Sequence, residues 1–255
     1  MPQCRVNFYR ACRFTLVALL LSNLTAQAQA EYSAVSKTES LQFNGITDLS
    51  EQQVGKIVFK QISQQLELPV EVELIPAKRA EREVNLGDAA GEIMRIYAYG
   101  VDNSNVIRVP TPYYSLKTTA FALKDNPHAQ RLVNNINQAN IGVVHGGKHT
   151  SHYVHSAKSV IQVSSTEQMM KLVRYKRVDL ALTSYLDGLQ FLKHNSIHGI
   201  VPLKSDVASH NLYIYLNHQH ADLVPLFDDK IKQLKRTGQL AKMIRDAEAQ
   251  VLAMQ

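Results

Sequence analysis

The sequence predicts a two-lobed α/β fold, in which the chain crosses twice between the lobes and a ligand cleft lies between them. Strand-like and helix-like segments alternate along the chain, as they do in α/β proteins with mostly parallel strands. Two longer strand-like segments, 115–123 and 211–216, each adjoin a complete α/β series, and we expect them to be the crossings. Strand ends and helix N-termini converge at such a junction, which makes it the expected binding site.

The first α/β series begins after residue 39. Apolar side chains recur at helical spacing between Ser50 and Leu66, and Ser50 with Gln53 can form a capping box at the start of that helix. Pro69 ends the helix, and Gly87 closes the next one. The series is predicted as a strand over 40–46, a helix over 50–66, a strand over 70–75, a polar helix over 76–86 and a strand over 91–97.

The second series lies between the two crossings. It is predicted as a helix over 128–138, a strand over 140–144, a helix from about 150, a strand over 161–163, a helix over 166–175, a strand over 178–182, a helix over 185–194 and a strand over 199–203. Helices over 221–235 and 239–251 close the chain. The predicted lobes are therefore 31–123 with 211–255, and 124–210.

Residues 1–30 have the pattern of a cleavable export signal. Three arginines precede an apolar segment at 14–24, and small residues at the right spacing allow cleavage after Ala28 or Ala30. A membrane-spanning helix needs about 20 apolar residues, which this segment does not reach. We therefore expect a periplasmic mature protein without stable membrane insertion.

The composition of the remaining chain excludes several classes of function. Both cysteines, Cys4 and Cys12, lie in the predicted signal, which excludes disulfides, thiolate metal ligands and cysteine nucleophiles from the mature protein. The net charge falls from +6 to +3, because the signal removes three of the 28 basic residues and none of the 22 acidic ones. The lysines are scattered, so we predict no nucleic-acid partner. We expect a monomer without a cofactor.

Several short motifs occur in the order and spacing of a known family. They are QLELP at 65–69, LGD at 86–88, PTPY at 110–113 before the first crossing, IGVVHGG at 141–147, RVDLAL at 177–182 and the apolar pattern of the C-terminal helices. In these motifs the chain resembles the periplasmic solute-binding proteins of family 3, the type II periplasmic-binding-protein-like receptors whose best-known members capture amino acids. The resemblance covers the whole mature chain. It implies two lobes that close on a small ligand and deliver it to an inner-membrane ABC permease.

Two positions depart from the pattern of this family. Members that bind amino acids usually have an arginine where this chain has Asn103, and an aspartate where it has Ser184. Both usual ion-pair partners of an α-amino acid are therefore missing. The predicted ligand is a small polar or anionic organic solute, amino-acid-like or a carboxylate. If the ligand is cationic, Glu92 and Ser184 are the residues that can replace the aspartate.

Two arginines are predicted to hold the acidic group of the ligand. Arg95 ends the third predicted strand, at the expected cleft, where a guanidinium can bind a carboxylate through two parallel hydrogen bonds. Arg79 begins a helix just after a strand and can form a clamp with Arg95. For Arg95 the alternative is a surface arginine paired with Glu92 or with an acid of a neighbouring helix. For Arg79 the alternative is a solvated helix face of lysine, arginine and glutamate.

The turn at 146–151 is predicted to complete the site from the second lobe. Its glycines let the backbone approach a ligand, and the free amides of a helix start favour an anion. The alternative is an ordinary tight turn, in which Thr150 or Ser151 only caps the helix. Tyr113 can stack on a planar ligand or serve in packing. The predicted binding residues beyond the two arginines are Tyr113, Gly146, Gly147, Lys148, Thr150 and Ser184.

Two further functions stay open as alternatives. Four histidines, His145, His149, His152 and His155, lie within eleven residues, but no carboxylate accompanies them, and we assign no metal ligands. The motifs of serine hydrolases, zinc proteases and dinucleotide-binding enzymes are absent from the sequence, so we assign no catalytic residues. The predicted function is therefore a periplasmic solute receptor for an ABC-type importer. The alternatives are a dehydratase-like enzyme, in which Glu92 and His149 would move protons, a sensor on the same fold, and a histidine-based metal-binding protein.

Overall fold

A computed structural model describes residues 40–47, 49–145 and 149–254 of this chain. The predicted export signal lies outside these residues. Within the described ranges, no helix is both long and apolar enough to cross a membrane.

One mixed sheet of nine strands runs through the described residues, in the order β2-β1-β3-β9-β5-β8-β6-β7, with β4 also paired to β9. Parallel pairing joins β1 to β2 and β3, and β6 to β7 and β8, whereas β5 and β9 are antiparallel to their neighbours. The strands are β1 Leu41–Ile46, β2 Val70–Ile75, β3 Gly91–Ile96, β4 Val106–Arg108, β5 Tyr114–Leu123, β6 Asn140–Val144, β7 Ser159–Val163, β8 Leu180–Ser184 and β9 Ile200–Asn217.

Helices connect these strands and cover the sheet. They are α1 Ser50–Gln65, α2 Ala77–Leu86, α3 Tyr99–Asp102, α4 Ala129–Asn134, α5 Ser151–Val154, α6 Thr166–Arg174, α7 Tyr185–His194, α8 Leu223–Arg236 and α9 Gln239–Ala253, with 3-10 turns at Ile136–Gln138 and His218–His220. Gly87 ends α2 with a φ of +81°, the left-handed conformation that glycine adopts without strain. The helix predicted over 128–138 is a short helix, α4, followed by the 3-10 turn at Ile136–Gln138.

The second crossing is longer than the sequence predicts. We expected separate strands over 199–203 and 211–216, and this was wrong, because β9 runs unbroken through the polar residues between them. Those residues pair with β5, as in the registers Leu116 with His210 and Lys117 with Ser209. Hydrogen bonds to a neighbouring strand, rather than local alternation of apolar residues, hold this segment extended.

Two separate cores show where the lobes divide. In the first lobe, Phe43, Phe59 and Phe227 pack together, with ring centroids 4.6 Å apart for Phe43–Phe59 and 5.4 Å apart for Phe59–Phe227. In the second lobe, apolar residues cover both faces of β6 and β8. Strand β5 contributes Tyr114 to the first core and Ala120 to the second. The cores therefore divide within β5, a few residues before the predicted boundary at 123.

The start of α1 differs from the predicted capping box. Leu49 occupies the position before the helix, and no side chain caps it. Ser50 already lies in the helix, and its hydroxyl donates to Gln190 of the second lobe at 2.5 Å. The predicted capping box was wrong because Ser50 bonds across the lobes instead of within its own helix.

Candidate functional site

A cavity of about 410 Å³ lies where the two lobes meet. The ends of β1 and β3 and the start of α1 line it from the first lobe, the crossing strands line its floor, and His149 and Asp187 line it from the second lobe. Most of its wall is apolar, contributed by Ile46, Leu49, Ala77, Met94, Ile96, Leu116 and Leu212. Its polar groups belong to Thr47, Glu51, Gln52, Arg95, Tyr99, His149 and Asp187.

Arg95 is the cavity residue that the sequence predicted. Its side chain is 13% exposed, and its Nε lies 2.9 Å from Glu92 Oε2, although without the alignment of a hydrogen bond. A second carboxylate, that of Glu81, lies 3.8 Å from Nη2, and the guanidinium carbon lies 4.1 Å from the ring centre of Tyr99. Two acids and one aromatic ring therefore fix the guanidinium at the cavity wall.

An irregularity in β3 explains why Glu92 and Arg95 can meet. In a regular strand, residues three apart point to opposite faces of the sheet. The register of β3 against β9 shifts between Glu92 and Arg95, and such a bulge redirects side chains. The ion pair therefore depends on backbone geometry that alternation along the strand does not reveal.

Glu92 is fully buried and forms the base of a polar network. Its Oε1 accepts a 2.5 Å hydrogen bond from the Tyr99 hydroxyl. Burial raises the pKa of Glu92, while the charge of Arg95 and the bond from Tyr99 oppose the rise. Asn103, at the position of the usual family arginine, donates to Asn85 and to the Tyr99 hydroxyl. It therefore supports Tyr99 and is not one of the residues that line the cavity.

The second lobe contributes the start of α7 and the residues before α5. The Ser184 hydroxyl accepts the N–H of Asp187 at 3.1 Å, so Ser184 caps α7 and is itself buried. Thr118 of β5 lies 3.0 Å from His149 Nδ1, measured from its hydroxyl oxygen. Burial lowers the pKa of His149, which favours the neutral imidazole in the cavity.

Two acids face each other where α1 meets α7. Glu51 is 3% exposed, and burial followed by the charge of Asp187 raises its pKa to about 8. Asp187 Oδ1 accepts the backbone N–H of Ser50 at 2.8 Å. Sequence reasoning missed both acids. Each lies in the first turn of a helix that directly follows a strand, and this position at the expected cleft is the signal that identifies them.

The other predicted residues are placed as follows. Arg79 is 60% exposed and binds Glu83 Oε1 through Nε at 2.7 Å, so the structure does not bring it to Arg95 as a clamp. Tyr113 is buried in the first core, where no hydrogen-bond partner for its hydroxyl is described. Thr150 is buried next to α5. Gly146, Gly147 and Lys148 lie outside the described residues.

The histidine cluster does not form a described metal site. His145 is exposed and its Nδ1 lies 2.9 Å from Gln162 Oε1, whereas His149 lies in the cavity beside Thr118. Among the side chains that the structure describes, no group of three His, Cys, Asp or Glu residues is arranged to hold a metal ion.

Comparison with known sequences gives one informative relative. No family model matches the chain. A protein of Shewanella oneidensis, described as uncharacterized, is 26% identical in a match of 209 residues, with 76% of this chain and 76% of that one covered.

Comparison with solved structures identifies the fold. The ligand-binding core of GluR0 in complex with L-glutamate aligns with a TM-score of 0.66 at 11% identity, over 83% of this chain and 99% of that one. A histidine kinase sensor domain with similarity to periplasmic binding proteins aligns at 0.62 and 15% identity, over 82% and 95%. An amino acid ABC transporter substrate-binding protein of Streptococcus pneumoniae, bound to L-arginine, aligns at 0.60 and 16% identity, over 87% and 100%.

The fold also occurs in an ancestral amino acid-binding protein described as a precursor of cyclohexadienyl dehydratase, with a TM-score of 0.58 at 15% identity, over 84% of this chain and 97% of that one. At these identities the similarity establishes the fold. The predicted two-lobed fold and the resemblance to family 3 solute-binding proteins are therefore confirmed at the level of the fold.

Proposed function

We propose that this chain, which has the fold of the family 3 periplasmic solute-binding proteins, is an exported receptor that closes on a small organic solute. The observation that carries the proposal is the cavity of about 410 Å³, whose walls come from both lobes. Cavities of this size fall within the range that proteins use for small molecules. Transfer of the solute to an ABC-type permease is part of the proposal.

The chemistry of the cavity favours a ligand with an apolar body and at least one polar end. Met94, Ile96 and Leu116 offer apolar surface for the body. At the other side, Arg95 carries five N–H donors and its Nε makes no aligned hydrogen bond to Glu92, so the guanidinium can still bind an acceptor of the ligand. The neutral imidazole of His149 adds a group that can donate or accept from the second lobe.

This geometry changes the way in which an acidic ligand would be held. The predicted pair of arginines is reduced to Arg95, because Arg79 is exposed and bound to Glu83. Since Glu92 already offsets the charge of Arg95, a single carboxylate or a neutral acceptor suits the site better than a doubly charged anion. We therefore propose a solute with one acceptor group at Arg95.

The geometry gives less support to an acid–base enzyme. The proposed proton-transfer pair was Glu92 with His149. Glu92 has no exposed surface, and its carboxylate is occupied by Arg95 and Tyr99. We therefore propose a binding protein without catalytic residues.

A thermal-shift screen of the purified protein tests the proposal. The panel contains amino acids, monocarboxylates, dicarboxylates, polyamines and divalent metal ions. We expect stabilisation by at least one organic compound, with monocarboxylate-bearing compounds ahead of dicarboxylates. A shift that occurs with metal ions alone and disappears with a chelator would contradict the proposal, as would turnover of a prephenate-like compound.

A further inference from the structure

Two carboxylates cross the junction of the lobes, and each reaches the N-terminal end of a helix on the other side. Asp187 of α7 accepts the N–H of Ser50, the first residue of α1, at 2.8 Å. Glu51 of α1 is buried beside Ser184 and Leu186 at the start of α7, whose hydrogen-bonding groups lower its pKa by less than burial and the charge of Asp187 raise it. Unpaired amides at helix N-termini favour acidic groups. An acid from each of the two helices therefore lies at the N-terminal end of the helix in the other lobe.

Other contacts at the same interface do not depend on charge. Ser50 donates its hydroxyl to Gln190, as described above, and Leu186 of α7 is buried in the core of the first lobe. At the far end of α7, Lys193 donates to the backbone carbonyl of Leu252 in α9 at 2.7 Å. The lobes are thus in direct contact along the length of α7.

The two crossed carboxylates, Glu51 and Asp187, also repel each other electrostatically. Burial, and then the charge of Asp187, raise the pKa of Glu51 from its ordinary value of 4.5 to about 8. Glu51 therefore carries a proton in the closed form at neutral pH. When the lobes separate, the carboxyl leaves the buried interface and the neighbourhood of Asp187, and both causes of the shift are removed.

We infer that these crossed contacts form a proton-dependent latch, which holds the lobes together without ligand while Glu51 is protonated and releases them when it ionises. The crossing strands provide the hinge, because the pairing of β5 with β9 is irregular between Thr118 and Phe121. The inference goes beyond the proposed function, since it concerns the ligand-free protein and needs no particular solute.

The other ionisable groups around Glu51 restrict the pH range of the effect. From β5, burial raises the pKa of Tyr114, whose hydroxyl donates to Glu248 of α9 at 2.9 Å. From β3, Arg95 lines the same cavity and is paired with Glu92 and Glu81. Ahead of α5, burial lowers the pKa of His149 below its ordinary 6.5. Glu51 is the carboxyl at this interface whose pKa burial and Asp187 raise to about 8.

The sign of the effect follows from proton binding. The closed form binds the Glu51 proton more tightly than the open form, so rising pH favours opening between the two pKa values of 4.5 and about 8. Each pH unit in this range shifts the ratio of open to closed by up to about tenfold, and the shift levels off above the upper value. From pH 6.5 to pH 8 the ratio should therefore rise by up to about 15-fold, because the closed form is itself half ionised at pH 8.

Small-angle scattering of the ligand-free full chain at pH 6.5, 7.5 and 9 tests the latch. We expect the radius of gyration of the wild type to increase with pH. Glu51→Gln keeps the shape of a protonated carboxyl and should stay compact at pH 9. Glu71→Gln, which makes the same charge change at an exposed ion pair with Lys60, should respond like the wild type.

Circular dichroism at each pH confirms that every variant is folded. If Glu51→Gln does not fold, Asp187→Asn serves as the second variant, because it removes the repulsion and should weaken the pH response. A radius of gyration that does not change with pH in the wild type would overturn the latch. So would a Glu51→Gln protein that expands as much as the wild type. Neither result bears on solute binding, which is measured separately at pH 6.5.

Discussion

Replacing Arg95 by alanine tests how the cavity arginine and its buried partner depend on each other. The substitution removes the charge beside Glu92, which is fully buried and accepts a hydrogen bond from Tyr99. A buried carboxylate without a partner is unfavourable, so Glu92 will take up a proton when the variant folds. Arg95→Ala should therefore destabilise the ligand-free protein as well as weaken binding.

The expected loss of folding stability in Arg95→Ala follows mainly from the cost of protonating Glu92. Protonating a glutamate of ordinary pKa 4.5 at pH 7 costs at most about 3 kcal/mol. Loss of the contact with the Tyr99 ring adds about 1 kcal/mol. At pH 5 the cost of protonating Glu92 falls to about 0.7 kcal/mol. For a domain of this size, the summed loss of stability at pH 7 should lower the melting temperature of Arg95→Ala by about 10 °C. At pH 5 the melting temperature should fall by much less.

Thermal unfolding at pH 5, 6, 7 and 8 measures this dependence. Arg79→Ala is the matched control, because its pair with Glu83 is exposed to solvent and should contribute little to stability at any of these pH values. An Arg95→Ala protein that melts within about 2 °C of the wild type at pH 7 would refute the reasoning. A loss of equal size at pH 5 and pH 8 would show that Glu92 does not take up the proton.

Two further predictions concern the first lobe. Tyr114→Phe removes the hydroxyl that donates to Glu248 and should lower the free energy of unfolding, measured with denaturant, by about 1–2 kcal/mol. A change near zero would mean that water replaces the hydrogen bond. Asp228 is partly buried, which raises its pKa, but bonds from Lys232 and from the Thr111 amide lower the pKa below the ordinary 3.8. The stability from these bonds is thus present at neutral pH and lost as the pH falls through this depressed value. Asp228→Asn should cost about 1 kcal/mol at pH 7, and this loss should shrink as the pH falls below 3.8; a loss that does not change with pH would contradict the assignment.

Much of the fold was predictable because its signals are local. Apolar spacing identified α1, alternation identified β2, and Gly87 marked the end of α2. The middle of β9 and the three-residue strand β4 were not predictable, because pairing with other strands holds them extended. Such pairing is a property of the assembled sheet.

The candidate site was predictable only in part, for the same reason. Arg95 was found because it ends a strand at the expected cleft. The structure separates it from Arg79, whose bond to Glu83 forms one helical turn away, and joins it to Glu92 through a strand irregularity. The pKa of Glu51 is raised first by burial where the lobes meet and then by the charge of Asp187, which is 136 positions away in the sequence. Contacts of this kind exist only after the lobes have come together.

The most direct test of solute capture between the lobes is to fill the cavity. Leu116→Trp places an indole in the cavity wall, whereas Leu86→Trp adds the same group at a position that is 62% exposed. Thermal shifts of the wild type and both variants are measured with the same panel of organic compounds. We predict that a compound which stabilises the wild type and Leu86→Trp will not stabilise Leu116→Trp. An equal shift in all three proteins would contradict binding in this cavity.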